Sequence, residues 1–162
     1  MSTVIESFSG DYAFLSNFYR TEVEYQGDIY QSAQAAFQAS KVLSPEIRSE
    51  FTSLSAAEAT LKGDKIAPSI EWEQNKQVIM YKILKNKFSK NKELRSLLMK
   101  TNISPIIHKN NWHENYWGEC TCEECAEKEK HNYLGKILVK VREDLRTESF
   151  LEAYLKRNDN GN

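Results

Sequence analysis

The spacing of apolar residues changes along this chain, and each change marks a different kind of element. Between Thr21 and Tyr30, apolar Val23 and Tyr25 alternate with Glu22 and Glu24; the pattern breaks at Gln26-Gly27-Asp28 and resumes with Ile29 and Tyr30. A period of two on either side of a glycine turn predicts a β-hairpin. Helical character then takes over across residues 31–43, which are rich in alanine and free of Gly and Pro, with Ser32 placed to cap the start. At about 100° per residue, Gln34, Gln38 and Lys41 fall on one narrow stripe of this predicted helix. The remaining positions are small or apolar, so the stripe is a thin polar line on an apolar rod. A solvated edge with Lys41 reaching into water and the wall of a cleft are equally good readings, because a buried unpaired amide or ammonium is costly.

Further helices follow from caps and period. Ser44-Pro45 opens a helix over 46–53, and Ser55-Ala-Ala-Glu58 is a capping-box pattern opening one that stops at Gly63. The longest segment, 71–90, turns Trp72, Val78 or Ile79, Ile83 and Phe88 inward. Asn91 caps a helix over 92–100 with Leu94, Leu97 and Leu98 inward. Residues 103–107 read as a short edge strand because of Pro105. Residues 131–145 return to helical spacing, and Phe150, Leu151 and Tyr154 continue it for a turn or two. Two stretches have no period: the aromatic run Asp11–Arg20, holding Ser16-Asn17, and His108–Glu119, which mixes Trp112, Tyr116 and Trp117 with amides, two imidazoles and carboxylates. Loops of that kind on a rigid scaffold are where sites usually sit.

Size and charge narrow the classes. At 162 residues the chain fits one domain, expected over 1–156, with 157–162 a frayed polar tail. With 22 Lys+Arg against 23 Asp+Glu, it lacks the basic excess of a sequence-independent nucleic-acid binder, although it can still act on one modified nucleotide. No apolar run reaches the roughly 20 residues of a membrane span, and the start has no basic end followed by an apolar core. A cytoplasmic protein with no membrane partner is expected. The three cysteines, Cys120, Cys122 and Cys125, are not a disulfide framework.

Those cysteines with His131 or His113 suit a Cys₃His zinc site of structural type, or else an exposed loop of free thiols. The deaminase signature, His-x-Glu followed by Pro-Cys-x-x-Cys, is missing: His113 and Glu114 are adjacent and no Pro precedes the cysteines. A Cys–His nucleophilic enzyme needs an activated, partly exposed thiolate, which clustered cysteines do not suggest. No cofactor or metal is therefore expected in the chemistry. The stronger constellation joins the polar stripe to the aromatic loop. Lys41 offers an amine that becomes a nucleophile when its pKa falls. Glu114 offers a carboxylate to support a cationic transition state. Trp112, Tyr116 and Trp117 offer stacking faces, and Asn17, Gln34, Gln38 and Asn132 can fix hydroxyls. Such a set suits a nucleoside-like ligand with a ribose.

From Phe8 to Leu145 the chain resembles the NADAR, or YbiA-like, family. The resemblance is carried by Phe14-Leu-Ser16-Asn17-Phe18, by Tyr30-Gln-Ser-Ala-Gln34-Ala-Ala-Phe37-Gln38-Ala-Ser-Lys41, and by Gly63, Trp72, Lys76, Met80 and Lys87-Phe88. It closes with Trp112-His-Glu114-Asn-Tyr116-Trp117-Gly118 and Asn132-Tyr-Leu134-Gly135. It implies an α+β fold: a predominantly helical single domain with a small N-terminal β-hairpin or sheet. It also implies an N-glycosidase. Some members hydrolyse ribosylated pyrimidine intermediates of riboflavin synthesis; others remove ADP-ribose from nucleobases, notably guanine in DNA. By resemblance Lys41 is the nucleophile, opening the ribose as a Schiff base, and Glu114 stands where the family usually has aspartate. Gln34 stands where it usually has a glutamate, and an amide cannot carry that proton. Ser16, Asn17, Phe18, Gln38, Trp112, Tyr116, Trp117, Gly118 and Asn132 are the expected substrate contacts. The expected partner is a nucleotide-like substrate, free or as ADP-ribosylated nucleic acid. The alternatives are a riboflavin-intermediate N-glycosidase, a non-cleaving ADP-ribose binding module, and a zinc-pinned interaction protein.

Overall fold

Gln26 and Gly27 both take left-handed backbone angles, φ 50° and 86°, as a two-residue hairpin turn requires. They join β1 (Val23–Tyr25) to β2 (Asp28–Tyr30) in antiparallel register, with Val23 opposite Tyr30. This computed structural model describes residues 2–159. It is predominantly helical, with the hairpin as its N-terminal β-element.

β2 leads directly into α1 (Ala33–Ala39), capped by Ser32, whose Oγ accepts the Ala35 N–H at 3.1 Å. Ala33, Ala35, Ala36 and Ala39 are fully buried, and α1 packs against the hairpin and against two later helices, Ala56–Gly63 and Ile70–Lys90. The alanines allow that crowding because they carry no side chain to hold neighbours apart. The helix is shorter than its composition predicts. It ends at Ala39, where Ser40 and Lys41 turn the chain and the Ser40 hydroxyl donates to Phe37 O at 2.5 Å. Lys41 therefore leaves the helical stripe that Gln34 and Gln38 occupy.

α2 (Pro45–Ser49) continues as a 3₁₀ segment, Glu50–Ser53, and α3 (Ala56–Gly63) opens on the Ser55/Glu58 capping box. α4 (Ile70–Lys90) packs on β1, on α1 and on two later helices, Lys92–Lys100 and Tyr133–Asp159. It buries Trp72, Met80, Ile83, Leu84, Lys87 and Phe88, while Val78 is exposed. Asn91 caps α5 (Lys92–Lys100) by accepting the Leu94 N–H at 3.0 Å. α6 is one helix, Tyr133–Asp159. It starts after Asn132, whose left-handed φ of 48° excludes that residue from the helix. Its C-terminal turns carry exposed Phe150, Leu151 and Tyr154. Of the tail expected to fray, residues 157–159 are helical and 160–162 lie outside the described residues.

The strand expected over 103–107 does not form. Pro105 has no N–H, Asn102 turns the chain at φ 54°, and only Ile106 bridges, in parallel, to Ile5. The Pro105 carbonyl accepts the Ile5 N–H at 2.9 Å, and the Ile5 carbonyl accepts the Ile107 N–H at 2.8 Å. A second parallel pair follows, β3 (Lys109–Asn110) with β4 (Glu119–Cys120). Among the described residues no helix is long and apolar enough to cross a membrane.

Candidate active site

The two aperiodic stretches meet over α1 and enclose a cavity of about 510 Å³. One wall is Ser16, Asn17 and Phe18, tied to the start of α1 by a 2.9 Å bond from Gln34 N–H to Asn17 O. The floor is Gln34, Phe37 and Gln38 of α1, with Met80 of α4 and Leu134 of α6. The far wall is His108, Trp112, Glu114 and Trp117. Phe18 and Trp112, 52% and 61% exposed, present aromatic faces to solvent beside it.

Side chains hold that far wall by bonding to its backbone. Asn110 Oδ1 accepts the N–H groups of Trp112 at 3.3 Å and Glu114 at 3.2 Å, while its Nδ2 donates to Glu114 O at 2.6 Å. Glu114 does the same one turn on. Its Oε1 accepts from Tyr116 and Trp117 N–H, both at 2.9 Å, and its Oε2 from Gly118 N–H at 2.8 Å. The carboxylate is thus fixed in place with its charge beside the cavity. Trp117 meets Phe37 edge to face at 5.4 Å.

Three buried side-chain atoms have no hydrogen-bond partner among the described residues: Asn17 Oδ1, Gln38 Oε1 and His108 Nδ1. All three residues line this cavity. Asn17 spends its amide N–H on Met80 Sδ at 3.5 Å, and its oxygen is left over. Gln38 Oε1 lies against Gly63 and His108 Nδ1 against Gly118, glycines outside the lining, so these two unpaired atoms are packed behind the cavity surface rather than open to it. Gln34 differs: its Nε2 donates to Thr60 Oγ1 at 2.9 Å.

His108 and Glu114 are the titratable residues of the lining. Burial lowers the His108 pKa, partly offset by the Glu114 charge, so the imidazole is neutral at physiological pH. Its ring stacks on Phe8 at 4.9 Å and meets Trp112 edge on at 6.1 Å. Sequence reasoning did not single His108 out. The signal was its place in the aperiodic loop; its burial depends on Phe8, far away in the chain.

Four expected site residues lie outside the lining. Lys41 Nζ donates to Gly63 O at 3.2 Å and sits 5.7 Å from the centre of the Trp72 ring. Burial lowers its pKa, against the raising influence of Asp64 and Glu73. Tyr116 accepts from Gln77 Nε2 at 2.9 Å and packs its ring on Tyr133 at 4.7 Å, with Lys76 Nζ 4.1 Å from the ring centre. Gly118 permits a close approach: a Cβ there would lie 2.2 Å from His108 O. Asn132 Oδ1 accepts the His108 N–H at 3.0 Å and its Nδ2 donates to Ile106 O at 2.9 Å, so both ends of the amide hold backbone. Tyr116, Gly118 and Asn132 thereby support the wall from behind. Beyond that wall, the ligand atoms of His113, Cys120, Cys122 and Cys125 lie within 4.8 Å of one another. His131 is not in that cluster; it stacks on Tyr133 at 5.1 Å.

A family model described as the NADAR domain matches residues 6–146. The N-glycosidase YbiA of Escherichia coli K12 is 32% identical over 146 residues, which is 88% of this chain and 87% of that protein. The riboflavin biosynthesis protein PYRR, chloroplastic, of Arabidopsis thaliana is 36% identical over 83 residues, 51% of this chain and 13% of that protein. The NMR structure of the E. coli protein YbiA superposes with a TM-score of 0.78 at 29% identity, covering 92% of this chain and 88% of that one.

Proposed function

This chain belongs to the NADAR family, and from that premise we propose that it is an N-glycosidase cleaving a ribosyl–nitrogen bond, with an ADP-ribosylated nucleobase such as guanine as the leading substrate. The observation that carries the reading is one cavity lined by the amides of Asn17, Gln34 and Gln38, the His108 imidazole and the Glu114 carboxylate, with the rings of Phe18, Trp112 and Trp117 around them. A ribose offers hydroxyls to side chains of this kind. The base or its leaving fragment fits against Phe18, Trp112 and Trp117. The volume is in the range of small-ligand sites.

In this reading Glu114 stabilises positive charge developing at the anomeric carbon as the bond to nitrogen lengthens. Lys41 is the nucleophile. Its lowered pKa raises the fraction of free amine, and it follows Gln38 by three residues. To react it must leave the Gly63 carbonyl and swing toward the lining. The amine bonds to C1′ as the C1′–N bond breaks, and the base departs with a proton. Ring opening gives an imine, which water hydrolyses to free sugar and lysine. Gln34 occupies the position of the family's usual glutamate and cannot supply that proton; it comes from the attacking amine, which turns cationic as it bonds to C1′, and His108, neutral in the lining, is the group able to take it up and pass it to the base.

The match to a riboflavin biosynthesis protein favours, as a second reading, a ribosylaminopyrimidine phosphate as substrate. Gln34 favours a third, binding of an ADP-ribose-type ligand without cleavage. A mass-spectrometric turnover assay separates them. The chain, Gln34→Glu and Lys41→Ala are each offered ADP-ribosylated guanosine and a ribosylaminopyrimidine phosphate. Release of free ADP-ribose, lost in Lys41→Ala, is the expected result. Unchanged turnover in Lys41→Ala overturns the nucleophile, and tight ADP-ribose binding with no product from any variant overturns the glycosidase.

A further inference from the structure

Behind the far wall of the cavity, His113 Nδ1 lies 3.3 Å from Cys122 Sγ and 3.5 Å from Cys125 Sγ, and Cys120 Sγ lies 3.2 Å from Cys122 Sγ. A tetrahedral zinc ion with bonds of about 2.3 Å to sulfur and about 2.0–2.1 Å to nitrogen sets its ligand atoms somewhat under 4 Å apart. The three distances above are 3.2–3.5 Å, and all four atoms lie within 4.8 Å of one another, so small adjustments of the side chains bring them to that spacing. We propose that His113, Cys120, Cys122 and Cys125 bind one Zn²⁺ as a closed structural site, and that this site anchors the turn presenting Trp112 and Glu114 to the cavity.

The donor set selects the metal. Three thiolates and an imidazole suit zinc, whereas calcium and magnesium want oxygen. Four protein ligands fill the tetrahedron and leave no position for a reactive water, so the site is not catalytic. Binding releases the three thiol protons to solvent. His113 coordinates through Nδ1, leaving its proton on Nε2, which faces the Glu124 carboxylate at 3.7 Å. A carboxylate behind the far nitrogen of a ligating histidine is the usual arrangement for fixing its tautomer.

The backbone is already shaped for this. The Cys122 carbonyl accepts the Cys125 N–H at 3.1 Å, which folds Cys122-Glu-Glu-Cys125 so that its sulfurs point one way. Asn115 Oδ1 accepts the Cys120 N–H at 2.8 Å, joining the cysteines to the cavity loop. His113 takes a left-handed φ of 66°, uncommon for a side chain with a Cβ. That twist sends His113 to the sulfurs while its neighbours Trp112 and Glu114 line the cavity. A metal on His113 supplies the interaction that holds the strained turn.

The test uses the full chain purified under reducing conditions. Elemental analysis is expected to find one zinc per chain. The chelated apo-chain, titrated anaerobically with Co²⁺, is expected to give tetrahedral visible bands and thiolate charge-transfer bands whose intensity falls by about a third in Cys122→Ser. Cys122 is the least buried of the cysteines, so this variant keeps the fold. It should weaken zinc binding by more than the roughly 10–100-fold that loss of an outer-shell partner costs. Zinc removal should also shift tryptophan emission in the parent chain but not in Trp112→Phe. Absence of bound zinc before and after reconstitution, an octahedral cobalt spectrum without thiolate bands, or a disulfide in place of the metal overturns the site. Zinc loss without any change in Trp112 emission overturns the anchoring role.

Discussion

The side chain of Gln38 lies so close to Gly63 that a Cβ on Gly63 would sit 2.1 Å from Gln38 Oε1 and 2.9 Å from Gln38 Cβ. The end of the amide can rotate away, but the Cβ is fixed to α1, so any side chain at 63 must also spread α1 from α3. Gly63→Ala is expected to lose about 1–3 kcal/mol of stability, in line with overpacking, and to push Gln38 into the cavity. Chemical denaturation and ligand titration measure the two effects; a variant with parent stability and affinity contradicts this packing.

Gln34→Glu is expected to raise turnover while lowering stability. Thr60 Oγ1 gives its proton to Ala56 O at 2.8 Å and accepts from Gln34 Nε2 at 2.9 Å. A carboxylate brings no donor, so Thr60 must abandon Ala56 or face another acceptor. The loss is about 1 kcal/mol, or about 2–4 °C in Tm for a chain of this size. Calorimetry beside the turnover assay reads both; an unchanged Tm with no gain in activity removes position 34 from the chemistry.

Phe18→Ala and Trp112→Ala should each raise KM or Kd about 10-fold and leave Tm within a degree or so. Both rings are more than half exposed, so little packing is lost. Stacking of one base on an aromatic ring is worth about 1–3 kcal/mol. Equal affinity in the parent and the double variant would mean that the ligand does not use the mouth.

Lys87 gives the fold an alkaline dependence. It is fully buried in α4, where it donates to Phe14 O at 2.7 Å and Ser16 O at 2.9 Å, and burial pulls its pKa down to about 7. Below about pH 7 the folded and unfolded chains both hold the proton. Between about 7 and the unfolded value of about 10.4, the unfolded chain holds a proton that the folded chain has shed, so stability rises with pH. Denaturation at pH 7 and pH 9 should show this rise in the parent and a smaller one in Lys87→Met. Parallel profiles would mean that the buried amine stays charged.

What the sequence made legible was local. Ser32, Ser55 with Glu58, and Asn91 announce their helices because each cap acts within three residues of itself. The glycine turn announces the hairpin for the same reason. The meeting of Asn17, Gln34, Gln38, Trp112 and Glu114 around one cavity was foreshadowed by polar groups set among aromatics with no packing period. Three things were hidden. Extrapolating the α1 stripe past Ser40 placed Lys41 with Gln34 and Gln38, but the helix turns off one residue earlier. Asn132 and Gly118 share the composition of a binding loop, yet whether an amide faces a ligand or the main chain is decided by distant residues 106 and 108. His108 became part of the lining through the same non-local packing, with Phe8 covering its ring.

The bridge from Ile5 to Ile106 sets an order of assembly. On the ribosome, residue 5 emerges first and its partner appears only after residue 106 has been made, so the N-terminal segment waits through most of synthesis. A contact over that span must meet a larger closure entropy than a hairpin or a helix does before it is rewarded, so it forms later. The hairpin and α1 to α5 can collapse early. The wall containing His108, pinned by the Ile5 bridge and by Phe8, comes last, so ligand binding should report completion of folding later than far-UV signals of helix formation do.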